Sequence, residues 1–251
     1  MAIGQAHIRF EGVTVGYGDR LVQRDLDFTI GRGDIFAIMG PSGCGKSTLM
    51  RSAIGLLRPI AGRIFYGEES FWEADPERQK ILMRAFGVMY QGGALWSSMS
   101  LAENITLPLK EFLALQDEPA REIALLKLAL VGLAGFEDYY PSEISGGMRK
   151  RAAIARAMAL DPDTLFLDEP SAGLDPISSR LLDELVVRLR DSLGTTIVIV
   201  SHELYSILSI CDNSVFLDTE TSTMLANGDP RLLRDESDNR QVREFLTRGT
   251  P

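Results

Sequence analysis

"GPSGCGKS", Gly40 to Ser47, is the stretch that decides the fold. It fits the pattern GxxxxGK[ST], which a chain of average composition matches by chance on the order of one time in a hundred. "DIFAIM" ahead of it is a continuous apolar run, as in a strand buried on both faces of a parallel sheet. "TLMRSAIGLL" behind it has a helical pattern. Strand, glycine-rich turn and helix in that order aim successive backbone N–H groups at one point, where the helix N-terminus adds its pull on an anion. Gly40, Pro41, Ser42, Gly43, Cys44 and Gly45 are therefore expected to wrap phosphate oxygens. Lys46 would reach the β and γ phosphates of ATP, Ser47 would give a hydroxyl to Mg2+, and Thr48 would add a phosphate hydrogen bond. The Cys44 thiol, lying inside the loop, is expected to be reachable by alkylating reagents and protected by ATP.

Such a loop calls for an acidic metal partner at the end of another buried strand. "TLFLDEP" supplies it, with Asp168 suited to the metal and Glu169 placed to polarise an attacking water. Around these two sites the pattern alternates. "HIRFEGVTV" and "LDFTI" read as neighbouring strands across the turn "GYGDR", and "RIFY" and "GVMYQ" as short strands separated by the helix "PERQKILMRAF". From Leu101 to Ala159 the pattern is mainly helical, with "EPAREIALLKLALVGL" as an amphipathic packing helix. Strands return as "TLFLDE" and "TTIVIVS", flanking the helix "PISSRLLDELVVRLRDSL". The expectation is an α/β fold: a parallel sheet covered by helices, with an all-helical insertion.

Composition narrows the function. The 251 residues carry 35 acids against 26 bases, a net charge of −9, which argues against a nucleic-acid partner. Two cysteines, Cys44 and Cys211, make no disulfide scaffold and fit a reducing compartment. No apolar run approaches the ~18 residues of a membrane span, and "MAIGQAHIRFEG" lacks the apolar core of a secretory signal, so any membrane role is expected to be peripheral. His7 fits no pattern and is expected to be an ordinary strand residue.

Taken in order, "GYG", "GPSGCGKST", "YQ", "ISGGM", "TLFLDE", "SAGLD" and "VSH" resemble the ABC-type ATPases over nearly the whole chain. The resemblance implies a P-loop fold with a RecA-like parallel-sheet core, an N-terminal antiparallel β subdomain and an inserted α-helical subdomain. The cassette is expected to span residues 1–236, its helical part about 92–160, with 237–251 as a C-terminal helical end and tail. Tyr17 is implied as the ring on which adenine stacks, and Gln91 as a bridge between Mg2+ and the lytic water. Ser145, Gly146 and Gly147 would face the γ-phosphate held by a second copy of the chain, Asp175 would link the two sites, and His202 would contact γ-phosphate on closure. Two copies would thus sandwich two Mg-ATP. Met148 departs from the family's usual glutamine and cannot offer an amide's hydrogen bonds, which puts contacts to the opposite sugar in question but not the backbone contacts to phosphate. Arg149, Lys150 and Arg151 are expected to form a solvated or supporting helix face.

"QGGALWSSMSLAENI" together with "ISGGMRKRAAIARA" is most similar to the ATPases of Mla-type, MCE-linked phospholipid transporters. This implies a peripheral subunit on the cytoplasmic side of a bacterial inner membrane, working with a transmembrane permease and an MCE-domain protein. Ala94, Leu95 and Trp96 would lie where the permease docks, Leu95 having an equal claim to the core. The alternatives are the ATPase of a small-solute importer or exporter, and a soluble assembly ATPase of the iron–sulfur type. The segment "EFLTRGTP", Glu244 to Pro251, reads equally as a loose end or a clasp onto the neighbouring subunit.

Overall fold

The computed structural model describes residues 6–247. Its main sheet grows from three apolar strands, β3 (Ile35–Met39), β7 (Thr164–Asp168) and β8 (Thr196–Val200), numbered by their place in the chain. Alternate side chains leave opposite faces of a strand. Ile35, Ala37, Met39, Leu165, Leu167, Ile197 and Ile199 enter one core, while Phe36, Ile38, Phe166, Val198 and Val200 enter another. Both faces are covered, which is why these strands read as unbroken apolar runs. Each fully buried Ile, Val or Phe contributes about 1.5–3 kcal/mol.

The sheet is completed by β6 (Phe86–Met89) beside β7, and by β9 (Asn213–Leu217) and β10 (Met224–Gly228) beyond β3. β6, β7, β8, β3 and β9 run parallel, with Met89 opposite Leu167 and Asp168 opposite Val200. Their carboxyl ends therefore share one edge, where ligands of open α/β sheets bind. A second, antiparallel sheet is built from β1 (Ala6–Tyr17), β2 (Arg20–Gly31), β4 (Ala61–Tyr66) and β5 (Glu69–Ser70). The stacked rings of Phe10, Phe28 and Phe36 fill the space between the two sheets. His7 of β1 is buried there, its Nε2 2.7 Å from Thr164 Oγ1, and burial lowers its pKa. It is the strand residue expected.

Helix α1 (Lys46–Ala53) follows the glycine-rich turn and α2 (Pro76–Arg84) precedes β6. Three helices and one 3-10 turn (Pro141–Glu143) stand between β6 and β7: α3 (Leu101–Leu113), α4 (Asp117–Leu130) and α5 (Gly146–Ala157). Ser100 and Glu103 form a reciprocal capping box that fixes the start of α3. In α4, Ala120, Ala124 and Leu128 are buried, and the Lys127 ammonium is neutralised by Asp161. α6 (Pro176–Leu193) and α7 (Leu204–Ile210) flank β8, and α8 (Pro230–Glu236) and α9 (Arg240–Thr247) end the described chain. Val242 and Leu246 of α9 are fully buried in the main core, so Glu244–Thr247 pack on their own chain, while residues 248–251 lie outside the described residues. Among the described residues no helix is long and apolar enough to cross a membrane. The strands β5, β9 and β10 were not anticipated from sequence.

Candidate active site

The loop between β3 and α1 is held from three sides. A side chain at Gly40 (φ 143°) would meet Leu217 O at 2.3 Å, and one at Gly45 (φ 99°) would meet Val22 Cγ1 at 2.5 Å. Only glycine fits either place. From below, the fully buried Gln23 amide donates to the carbonyls of Cys44 and Asp218, both at 2.7 Å. α1 starts at Gly45 with no side-chain cap and no acidic residue in its first turn, so its leading N–H groups remain for an anion. Lys46 is buried and donates to the Gly40 and Pro41 carbonyls at 2.9 and 3.0 Å, which hold its ammonium over the loop mouth.

Ser47 Oγ donates to Asp168 Oδ1 at 3.3 Å across the edge of the sheet. Burial raises the Asp168 pKa, opposed by the Ser47 bond. A half-buried carboxylate beside a hydroxyl, with no cation paired to it, is an oxygen donor set suited to Mg2+. No three His, Cys, Asp or Glu side chains converge among the described residues, so a cation held here would need phosphate oxygens and hydroxyls as further ligands. This fits an ion that arrives with a nucleotide.

Glu169 follows Asp168 in the left-handed region, φ 47°, and is only 8% exposed. Its N–H donates to Val200 O at 2.8 Å, His202 Nδ1 lies 2.7 Å from Oε1, and Ser201 Oγ lies 3.5 Å from Oε2. The direct pairing of Glu169 with His202 was not foreseen. One cavity of about 750 Å³ gathers Tyr17, Pro41, Ser42, Gly43, Gly45, Lys46, Ser47, Thr48, Gln91, Glu169 and His202 along its wall. Gly40, Cys44 and Asp168 lie behind that wall. Tyr17 is 44% exposed and offers a ring face, its phenol oxygen accepting from Arg51 at 2.8 Å. Hydrogen bonding to Thr48 and to Arg51 holds the Tyr17 phenol below its ordinary pKa.

Ser145, Gly146, Gly147 and Asp175 are not in that wall. Ser145 caps α5, its Oγ accepting from Met148 N at 3.2 Å, and Gly147 lies beside Ser178 at the start of α6. Asp175 caps α6 by accepting from Ile177 N and Ser178 N, both at 3.0 Å, and from Ser178 Oγ at 2.5 Å. These bonds, led by those to Ser178, lower its pKa. Met148 packs against the core instead of standing free.

One expectation needs correction. Cys44 is 1% exposed, because its side chain turns under the loop toward Gly40. Burial pushes its thiol pKa up, so it is neither reachable nor reactive in the fold. The bases of α5 form the supporting face that was one of the two expectations, Arg149 staying exposed while Lys150 is buried. Arg149 donates to Ile144 O at 2.7 Å, Arg151 to Val131 O at 3.1 Å and Gly132 O at 3.2 Å, and Arg156 to Ala94 O and, at 3.3 Å, Gly93 O. Lys150 donates to Gln91 O at 2.5 Å and Glu169 O at 3.2 Å. Sequence reasoning missed Arg20, Val22, Leu204 and Phe245 in the cavity wall, as well as Arg51 and Lys150. Arg51 had a signal, since i+4 from Ser47 places it on the same face of α1. Phe245, from the far end of the chain, had none.

The ABC transporter family profile matches residues 23–172, more than half of the chain. The chain belongs to the ABC transporter family. It has the nucleotide-binding fold of that family. It is 39% identical over 239 residues to the "Probable ribonucleotide transport ATP-binding protein mkl" of Mycobacterium tuberculosis (strain ATCC 25618 / H37Rv), covering 95% of this chain and 66% of that protein. The chain therefore spans slightly less than two thirds of that relative's length. It is 37% identical over 244 residues to the "Intermembrane phospholipid transport system ATP-binding protein MlaF" of Haemophilus influenzae, covering 97% and 91% of the two chains. Among solved structures it is similar to cbiO1 from Clostridium perfringens, part of the cbiONQ complex (TM-score 0.84, 27% identity, 97% of each chain). It is also similar to the dimeric ATP-binding cassette MJ0796 bound to ADP and Pi (TM-score 0.78, 26% identity, 88% of this chain and 97% of that one).

Proposed function

We propose that two copies of this ABC ATPase close around two Mg-ATP and drive phospholipid transport between the inner and outer membranes through a separate permease. The observation that carries the two-copy arrangement is a separation. Ser145–Gly147 stand at the head of α5, capped through Met148 N, outside the cavity that holds Lys46, Glu169 and His202. A second chain's α5 would complete each site. Tyr17 stacks on adenine, Gly40 to Gly45 and Thr48 wrap the phosphates, and Lys46 moves its donors from loop carbonyls to β and γ oxygens. Ser47, Asp168 and Gln91 would hold Mg2+, which when bound supplies charge neutralisation to the phosphoryl oxygens. Glu169 orients the attacking water. His202 steadies Glu169 through Nδ1 and keeps Nε2 for the γ-phosphate, while Asp175 joins the two sites. The cassette covers residues 1–236, with about 92–160 as its helical part and 237–251 as its C-terminal end.

The phospholipid assignment is supported by the MlaF relatives and by the "QGGALWSS" and "MRKR" wording. It implies a peripheral place on the cytoplasmic side of the inner membrane, beside an MCE-domain protein. Ala94 and Trp96 are exposed beside Gln91, Trp96 at 57%, as a permease contact requires, while Leu95 packs on the core. The mycobacterial relative's name favours a second reading, nucleotide or other solute transport. Two experiments test the proposal. Glu169→Gln is expected to lower ATP turnover by about 10²–10⁴ while ATP still binds; turnover equal to the parent refutes the role of Glu169. A mild-detergent pull-down from native membranes should recover a permease, an MCE-domain protein and phospholipid. A solute permease, or a soluble scaffold alone, would overturn the transport assignment.

A further inference from the structure

Lys150 sits in the second turn of α5, 9% exposed, with its ammonium on the carbonyls of Gln91 and Glu169. Those two residues lie 59 and 19 positions away in the chain. Burial lowers the Lys150 pKa, and the nearby Glu169 and Asp168 carboxylates raise it. A largely dry ammonium is an expensive placement, and neither bond caps its own helix. Both ends it holds need holding. Glu169 keeps a left-handed φ that a glutamate adopts only when its surroundings enforce it. The segment after Gln91 lies along α5: a side chain at Gly93 would touch Ala153 Cβ at 3.3 Å, and Arg156 binds the Gly93 and Ala94 carbonyls.

We propose that Lys150 is a positioning residue that ties Gln91 and Glu169 to α5, so that seating the head of α5 on one nucleotide sets Glu169 and Gln91 at the other. This deepens the two-copy function above and depends on it. The chain of contacts is short. Ser145 caps the first turn of α5, and Lys150, five residues on, is about 7.5 Å further along the same rigid helix. A tilt of α5 that brings Gly146 and Gly147 onto the partner's γ-phosphate carries the ammonium with it. Both carbonyls follow, one leading to the lytic glutamate and the other to the segment exposed toward a permease. Each subunit thereby registers, at its own Glu169, that it has engaged its neighbour's ATP.

The test measures steady-state phosphate release against ATP concentration for the parent chain and for Lys150→Met, Lys150→Gln and Lys150→Arg, with equilibrium binding of a fluorescent ATP analogue alongside. Losing two charge-assisted bonds is expected to lower kcat roughly ten- to hundredfold and to bring the Hill slope toward one. Analogue affinity should stay within about twofold, because Lys150 does not line the cavity. Lys150→Arg, which keeps a cation, should recover part of both kcat and slope. A parent that hydrolyses ATP with a slope of one overturns the two-copy function and the cross-site link with it. A cooperative parent whose Lys150→Met variant keeps its kcat and slope overturns the Lys150 link alone. So does a kcat loss with unchanged slope that Lys150→Arg fails to recover. If Lys150→Met does not fold, Lys150→Gln decides by the same criteria.

Discussion

Replacing Gly147 with alanine separates what the fold needs at the head of α5 from what a bound phosphate needs. A methyl group at 147 meets Ser178 Cβ at 3.6 Å and Oγ at 3.7 Å, and one at 146 meets nothing nearer than 3.8 Å. These are ordinary contacts, and neither glycine is among the positive-φ residues of the chain. Helix propensity favours the variant: alanine exceeds glycine by about 1 kcal/mol in a helix interior, and by less in a first turn. A gain of about 0.5 kcal/mol in a chain of this size raises Tm by about 1–2 °C. In the proposed closed pair the same methyl group would stand where backbone N–H groups approach γ-phosphate. Losing one preorganised donor of this kind costs about 10²–10³ in kcat, or roughly 3–4 kcal/mol.

The two effects have opposite signs, so one preparation decides between them. A thermal melt should give a Tm unchanged or slightly raised, phosphate release should fall by about two orders of magnitude, and ATP should still bind the single chain. Turnover within about threefold of the parent would mean that no phosphate sits at the head of α5. A Tm lower by about 5 °C or more would mean that the glycines serve packing within their own chain, and the functional argument from them would fail.

Asp183 is buried, accepts from Ser206 Oγ at 2.8 Å, and has its pKa raised by burial to about 6. Its folded pKa exceeds the unfolded one, so its ionised form costs stability above pH 6, and that cost disappears as pH falls toward 4. Asp183→Asn should therefore stabilise the chain by up to about 2 kcal/mol at pH 8, after allowing for screening, and by roughly a third of that at pH 4.5. Melts at the two pH values check the difference, and an equal effect at both would refute it. Cys44, buried beneath its loop, should react with iodoacetamide only as fast as the chain opens, at the same rate with and without a non-hydrolysable ATP analogue once stabilisation by the ligand is matched with denaturant. Rapid labelling that ATP suppresses would restore the accessible thiol.

The phosphate loop, the Asp168–Glu169 pair, Gln91 and His202 were legible because each stands at the carboxyl end of a strand whose apolar run is itself legible. Parallel pairing then brings four sequence-distant ends to one edge. The unread elements lacked such a signal. β5 has two residues, and β9 and β10 depend on pairing with β3 and with each other. Arg149, Lys150 and Arg151 read equally as a solvated or a supporting face because sequence shows neighbours three and four residues away, not carbonyls at Gln91, Val131 or Glu169. Cys44 looked open because flanking glycines suggest a bare loop, whereas its side chain fills the space that Gly40 leaves.

The placement of charge at helix starts gives a further reason to connect α1 and α5. A carboxylate in the first turn is favourable by about 0.3–1 kcal/mol, and this acidic chain uses the device freely: Glu77 in α2, Glu103 in α3, Asp117 and Glu118 in α4, with Asp175 and Asp229 capping α6 and α8. α1 and α5 have no acid in the first turn and no carboxylate cap, as is also true of α7 and α9, which lie away from the phosphate loop and the head of α5 in sequence. Each instead carries lysine near its start, Lys46 at the first residue of α1 and Lys150 at the fifth of α5, against the helix dipole. The helix dipole gives no reason for that choice, although both lysines also hold carbonyls of their own chain. An incoming anion does, because two helix heads left positive, one from each copy, can meet across the same triphosphate without a resident carboxylate to repel it.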